Sequence, residues 1–149
     1  YGLGGLRVGW LLASPKVALA ARRVRDVVDV CGALPAERIA VVAFQRLDAL
    51  EDRARGIIQP NAERVSTFLS ARPGIEWVPP DGGTMVFPRI PGVRDTRQLA
   101  SDLMEQHRTA VVPGAFFDAP EHIRIAFGAD AATVSAGLTS LGQLLDAMR

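Results

Sequence analysis

Two arginines interrupt apolar segments of this chain, and they are the residues best suited to chemistry. Arg7 lies in the glycine-rich residues 1–10, and Arg124 lies between Ile123 and Ile125. A guanidinium in a segment suited to burial needs an anionic partner, and its planar fork fits carboxylate or phosphate. The pair therefore indicates either a site for a ligand with two anionic groups or two separate ion pairs with Asp or Glu.

The other candidate groups carry weaker signals. His107 and His122 have no acidic partners at metal-ligand spacing, so we expect surface or capping histidines and no metal site. Cys31 falls on an apolar helical stripe and is expected in the core. Ser135 and Ser140 lie in a helix without a nucleophile-elbow motif.

The aromatic and glycine-rich segments suggest packing more than ligand chemistry. Trp10, Trp77 and Phe87 are expected to pack, not to form stacking platforms for a ligand. The glycines before Arg7 do not make a dinucleotide fingerprint, because the third glycine is missing and the segment leads into a predicted strand.

Composition excludes several classes of protein. The chain has 149 residues, 48% of them hydrophobic and 22% charged, which is typical of one ordinary globular domain. The formal net charge of +1 argues against nucleic-acid and anionic-membrane partners, and no apolar run is long enough to span a bilayer. The single cysteine excludes an internal disulfide, and Lys16 is the one lysine beside sixteen arginines.

The elements that must position the arginines follow from periodicity. Residues 6–13 suit a buried strand, and Ser14 and Pro15 should start a helix whose stripe reaches Cys31, with Gly32 as its left-handed cap. A second helical pattern runs from Pro35 to about residue 72, with a kink or break expected at residues 59–61 because of Pro60.

The second half of the chain predicts strands between helices. Residues 75–78 and 84–89 should form a hairpin, and strands are expected at residues 109–112 and 122–127. Asp95 or Thr96 should cap one helix, and Asp130 should cap a last helix with one apolar stripe. The order of elements predicts a mixed α/β fold.

Four segments together resemble one enzyme family, the class I/II aminotransferases, which are pyridoxal-phosphate (PLP) enzymes of fold type I. That family commonly reads Ser-x-x-Lys-x-Tyr-Gly-Leu-x-Gly-x-Arg-x-Gly, and the chain matches it from Tyr1 to Gly9. The other matches are to the small-domain glycine hairpin, the proline-glycine loop facing the active site, and the strand carrying the substrate-binding arginine. They lie, in that order, at residues 80–87, 112–117 and 122–128.

The resemblance implies a role for each arginine and a fold for the chain. Arg7 matches the arginine that binds the cofactor phosphate, and Arg124 matches the arginine that holds the substrate α-carboxylate. The expected fold is α/β: the C-terminal small domain of a fold type I PLP enzyme, an α/β sandwich with a hairpin-containing sheet, plus the last strand and helices of the large domain. Residues 1–60 would be the end of the large domain and an interdomain helix, and residues 61–149 the small domain.

The same resemblance implies an incomplete enzyme. The Schiff-base lysine of the pattern would lie two residues before Tyr1, so we expect a fragment that has no catalytic residue of its own and is inactive alone. Lys16 is too far along the chain to replace that lysine. Exposed apolar surface is expected to cause association, domain swapping or poor solubility.

The intact parent is expected to be a cytoplasmic homodimer that uses PLP to move an amino group between an amino acid and a keto acid. The alternatives are a non-catalytic binding module, a partner-completing module, or a PLP-dependent lyase or synthase of the same fold. The amino acid used as substrate is not predicted.

Overall fold

A computed structural model describes residues 1–148, which form two compact units, residues 1–54 and residue 55 onward. The element order is a 3-10 turn, three helices, strand, helix, strand, a second 3-10 turn, strand and helix. Within the described residues, no helix is both long and apolar enough to cross a membrane.

The first unit contains helices with no buried residue. A 3-10 turn at Gly4–Leu6 is followed by α1 (Pro15–Val28) and α2 (Leu34–Phe44). Helix α1 starts at the predicted place, with Ser14 as N-cap and Pro15 in the first turn. Its apolar stripe is exposed, because a helix buries a stripe only where another element packs on it.

The strand predicted for residues 6–13 is not formed. These residues pair with no other strand among those described, and Leu12 is 92% exposed. An extended segment needs a neighbouring strand to satisfy its N–H and C=O groups, and this one has none. The fold class is nevertheless the predicted α/β arrangement.

The end of α1 also differs from the prediction. The helix ends at Val28, so Cys31 lies beyond it and is exposed, not part of a core. The left-handed residue is Val30 (φ 56°) and not Gly32. Asp29 closes the helix by donating its backbone amide to the Arg25 carbonyl at 3.1 Å.

The long helical pattern breaks earlier than expected. The break falls at residues 45–46, and α3 (Leu47–Ser70) continues through Pro60. Asn61, Val65 and Leu69 are buried on one face of this helix. That packing offsets the hydrogen bond lost at the proline.

The second unit places helices α4 (Arg97–His107) and α5 (Ala131–Ala147) with a three-stranded antiparallel sheet. Its strands are β1 (Met85–Val86), β2 (Val112–Pro113) and β3 (Ile123–Ala126), in the order β1-β3-β2. The register pairs Val86 with Ile125 and Val112 with Arg124. Thr96 is at the N-cap position of α4 without a side-chain capping bond, whereas Asp130 caps α5 by accepting from the Thr133 amide.

The predicted hairpin is replaced by a different pairing. β1 pairs with β3, and residues 75–78 meet the returning segment only at the bridge between Glu76 and Arg89. Pro79 and Pro80 have no N–H groups, so they cannot extend a ladder toward the turn.

The core of the second unit lies between the sheet and the helices. Its largest fully buried apolar side chains are Phe127, Leu69, Leu103, Ile123 and Leu141. Strand β3 is the middle strand and contributes Ile123 and Ile125 to this core. The opposite face of β3 is not covered by this core and carries the side chain of Arg124.

Candidate functional site

Arg124 projects from the face of β3 that is not packed on the core. Side chains alternate along a strand, so Ile123 and Ile125 are buried while Arg124 is on the opposite face. The same face carries Met85 and Phe87 from the β1 segment, because Met85 is paired with Ala126. The apolar run around Arg124 thus comes from one buried side of the strand.

A cleft of about 790 Å³ opens on this sheet face. Its lining is mostly apolar and aromatic, with one arginine, one histidine and one glutamate. The lining residues are Glu76, Trp77, Val78, Met85, Val86, Phe87, Phe117, His122 and Arg124. Such a cleft, apolar with few polar groups, is typical of small-molecule sites.

The charge of Arg124 is not neutralised within the described chain. Its guanidinium has no hydrogen bond or ion pair with any other of residues 1–148, and its recorded contact is with the ring of Phe117. The one glutamate of the cleft is already engaged, because Glu76 accepts from Arg89 at 3.0 Å. The cleft therefore holds one guanidinium free to bind an anion.

Arg89 gathers two carboxylates at the edge of the cleft. It donates to Glu121 at 2.6 Å and to Glu76 at 3.0 Å. The hydrogen bond from Arg89 lowers the pKa of Glu121, and the Arg89 charge adds to that effect. Both carboxylates are thereby turned toward Arg89 and away from the guanidinium of Arg124.

The loop that carries Phe117 is tied to the start of β3. The Gly114 amide donates to the His122 carbonyl at 2.7 Å, and the Thr96 hydroxyl donates to the same carbonyl at 2.6 Å. The turn Gly114–Phe117 follows directly. This fixes the Phe117 backbone relative to the strand that carries Arg124.

His122 has a different environment from the surface or capping position that was predicted. It lines the cleft two residues before Arg124, and its ring is stacked on Phe87 at 4.9 Å. Its Nδ1 is buried and has no hydrogen-bond partner among residues 1–148. A period of two along β3 was the signal that could have placed it on the Arg124 face.

Arg7 belongs to the first unit and is described there alone. It follows the turn Gly4–Leu6, has a left-handed backbone (φ 53°), and is exposed. Its guanidinium has no hydrogen bond or ion pair with another described residue. Arg124 lies in the other unit. Each arginine is therefore considered separately as a candidate for binding an anion.

The remaining candidates do not form sites in the described chain. Trp10 packs edge-on against Phe44 at 4.8 Å, and Trp77 packs partly buried against the core, in line with the predicted packing roles. Phe87 packs too, although it also lines the cleft. Among residues 1–148 no three His, Cys, Asp or Glu side chains are grouped to hold a metal ion.

The fold and the cleft define an α/β unit with an arginine on its open sheet face that has no ion pair among the described residues. The chain belongs to the class I and II aminotransferases: the sequence model of that family matches residues 1–141. The family resemblance predicted from the four motifs is thus confirmed. PLP is the cofactor of this family, as predicted.

Individual relatives agree with this assignment. The chain is 32% identical to capreomycidine synthase of Streptomyces vinaceus, covering 97% of the chain and 38% of that protein. It is 31% identical to the 3-methylarginine biosynthesis aminotransferase ArgM of Streptomyces arginensis, and the match covers 100% of this chain and 40% of that protein.

A solved structure shows the same fold. The PLP-dependent aminotransferase of Streptococcus suis superposes with a TM-score of 0.91 at 24% identity, covering 100% of this chain and 40% of that one. The chain therefore spans about two fifths of the length of the proteins it resembles.

The residues present fit an anionic cofactor and an anionic substrate by donor chemistry. PLP offers a phosphate, and an amino acid offers a carboxylate. Arg7 and Arg124 each present a guanidinium without an internal partner, which is the donor those groups prefer.

Proposed function

We propose that this chain supplies the substrate-carboxylate and cofactor-phosphate contacts of a PLP-dependent aminotransferase. Arg124 would bind the α-carboxylate of an amino acid or keto acid, and Arg7 would bind the cofactor phosphate. The observation that carries this proposal is the unpaired guanidinium of Arg124 in an otherwise apolar cleft. The cytoplasmic homodimer expected from the family resemblance stays part of the proposal.

The chemistry asked of Arg124 is binding and orientation. A bidentate pair between its guanidinium and a carboxylate fixes both oxygens and therefore the direction of the bonds at Cα. The mostly apolar lining of the cleft presents no lysine and no other arginine among the described residues that would compete for the carboxylate. When bound, the cofactor supplies an electron sink for negative charge at Cα.

No residue of this chain stands at the lysine position of the family pattern. Lys16 is exposed in the first turn of α1, nine residues after Arg7. In the family pattern the lysine precedes the arginine. We therefore propose that the 149 residues bind ligands without catalysing transamination by themselves.

A PLP-dependent synthase is the second candidate. The observation in its favour is the 32% identity to capreomycidine synthase, at least as high as the identity to the aminotransferase ArgM. Carboxylate and phosphate binding by Arg124 and Arg7 would serve either reaction.

Binding to the 15N-labelled chain tests the role of Arg124. We expect L-leucine to shift amide signals of the cleft, and leucinol to leave them unchanged, because only leucine carries the carboxylate. Arg124→Gln should weaken leucine binding by about tenfold or more. Arg108→Gln is the matched control, since Arg108 is an exposed arginine outside the cleft. Equal binding by wild type and Arg124→Gln would overturn the proposal.

Pyridoxamine phosphate and pyridoxamine test the role of Arg7, because they differ only in the phosphate. We expect the phosphate form to shift amide signals of residues 1–10 and Arg7→Gln to remove that shift. Arg22→Gln serves as control, because Arg22 is exposed on α1. The same response to both compounds would contradict a phosphate site at Arg7.

A further inference from the structure

Arg124 is held by an aromatic ring and not by a carboxylate. Its guanidinium carbon lies over the Phe117 ring, 5.1 Å from the centroid. This is within the range of a cation–π attraction, which holds a cation without neutralising its charge. The contact therefore leaves the N–H donors of the guanidinium available to a ligand.

Phe117 is itself part of a stack of three rings, Phe117, Phe87 and His122, which we call the ring stack. Phe117 meets Phe87 edge to face, with centroids 5.6 Å apart and an interplanar angle of 84°. Phe87 is stacked on His122 at 4.9 Å and 16°. Aromatic pairs at such distances attract each other, so each ring limits the motion of the next.

The backbone supports the ring stack at both ends. Arg124 lies in β3 and His122 directly precedes that strand, and the turn with Phe117 is tied to His122 through the Gly114 amide. Phe87 follows β1, which is paired with β3. The rings and the arginine are thus built on the same small sheet.

We propose that Phe117, supported by Phe87 and His122, is the positioning residue for Arg124. Its ring holds one side of the guanidinium and sets the direction of the free N–H donors before a ligand arrives. This inference rests on the proposed function of Arg124 as a carboxylate-binding residue. Phe117 would not touch the ligand itself and would act on ligand binding only through the orientation of Arg124.

The first test follows the Arg124 guanidinium in the free 15N-labelled chain. Its Nε–Hε signal is identified by its loss in Arg124→Lys. We expect an upfield shift from the ring current of Phe117 and slower motion than in exposed arginines. Phe117→Leu should remove both features, and Phe117→Tyr should keep them, because tyrosine retains the ring.

The adjacent phenylalanine supplies a matched control. Phe116 belongs to the same turn, is 73% exposed, and makes no ring contact among the described residues. Phe116→Leu should leave the Arg124 signal unchanged. An unchanged signal in Phe117→Leu, with backbone spectra that show a folded chain, would overturn the proposal.

The second test measures ligand affinity. Phe117→Leu should weaken leucine binding about three- to tenfold, and Phe116→Leu less than about twofold, since a cation–π contact is a modest attraction. Addition of leucinol should leave the amide signals of both variants unchanged, as it does for the wild type. Equal leucine affinity in the two leucine variants would count against positioning by Phe117.

The two proposals fail in different ways. If Arg124→Gln leaves leucine binding intact, the carboxylate role of Arg124 fails, whatever the Nε–Hε signal shows. If Arg124→Gln abolishes binding but Phe117→Leu changes neither the signal nor the affinity, the function stands and the positioning role fails.

Discussion

At the residue scale, Gly114 shows how closely the loop is packed against the strand of Arg124. A Cβ at this position would overlap the Ala119 carbonyl oxygen and would lie 2.5 Å from the His122 carbonyl oxygen. Both obstacles are backbone atoms, which cannot move aside like the end of a flexible side chain. Glycine is therefore required for the loop to reach its hydrogen bond with His122.

Gly114→Ala should destabilise the second unit by about 2–3 kcal/mol, because the loop must separate from β3 to admit the methyl group. Urea denaturation followed by circular dichroism measures this. Gly56→Ala is the control: its Cβ meets nothing within 4 Å, and it lies inside α3. That change should stabilise by up to about 1 kcal/mol through helix propensity. Similar midpoints for the two variants would contradict the packing argument.

At the scale of elements, Asn61 joins α3 to the end of β3. Its side-chain amide donates to the Phe127 carbonyl at 3.0 Å and to the Ala129 carbonyl at 2.8 Å. Arg64 donates to its oxygen at 3.1 Å. Asn61 is 1% exposed, so these polar groups have no water to replace the bonds.

Asn61→Asp should destabilise the chain by about 2–4 kcal/mol, because the amide nitrogen that donates both hydrogen bonds becomes an oxygen that faces the same two carbonyls. Urea denaturation at pH 7 measures the change. Glu63→Ala, an exposed position on the same helix, should have little effect. If Asn61→Asp lowered the free energy of unfolding no more than Glu63→Ala does, Asn61 would not link the two elements.

Asp130 caps α5 through its carboxylate. Both its oxygens accept hydrogen bonds from Thr133, at 2.9 Å from the amide and 2.7 Å from the hydroxyl. These bonds lower the pKa of Asp130. A carboxyl with a lowered pKa in the fold contributes stability above its unfolded pKa and loses it as the pH falls through its folded pKa.

Asp130→Ala should lower the thermal midpoint by about 5 °C at pH 7, with the difference from wild type shrinking below about pH 4. Thermal melts by circular dichroism between pH 3 and 7 measure it. Asp81→Ala, at an exposed turn carboxylate without a recorded hydrogen bond, is the control. A difference that stays constant over this pH range would argue against capping by the ionised carboxylate.

At the scale of the whole molecule, the first unit leaves large apolar side chains uncovered. None of residues 1–54 is buried, and the exposed set includes Leu12 at 92% and Val27 at 84%. Apolar surface of this extent favours association.

We therefore expect the chain to elute from size-exclusion chromatography above the mass of a monomer, as measured by light scattering. The charged double variant Leu12→Glu/Val27→Glu should shift the population toward the monomer. Val78→Glu is the control, since Val78 is as exposed but belongs to the second unit. A clean wild-type monomer would contradict this expectation.

Much of the second unit was predictable because its signals are local. The cap at Asp130 was predicted from a capping residue before an apolar stripe, and the strand at residues 122–127 from periodicity. The structure contains the cap and a strand at Ile123–Ala126. The candidate roles of Arg7 and Arg124 came from residue type and motif order, and they remain proposals. So does the domain boundary at residue 60.

The tertiary structure decided what depends on partners in space. It determined that β1 pairs with β3, that α3 passes through Pro60, and that Cys31 is exposed. It also brought Phe117, Phe87 and His122 together beside Arg124. The sequence alone determined the family and the starts of α1, α4 and α5, because these follow from residue type and spacing. That Arg7 and Arg124 have no ion pair among the described residues was decided by the folded chain. Pairing, burial and ring contacts join residues distant in sequence, and only the folded chain specifies them.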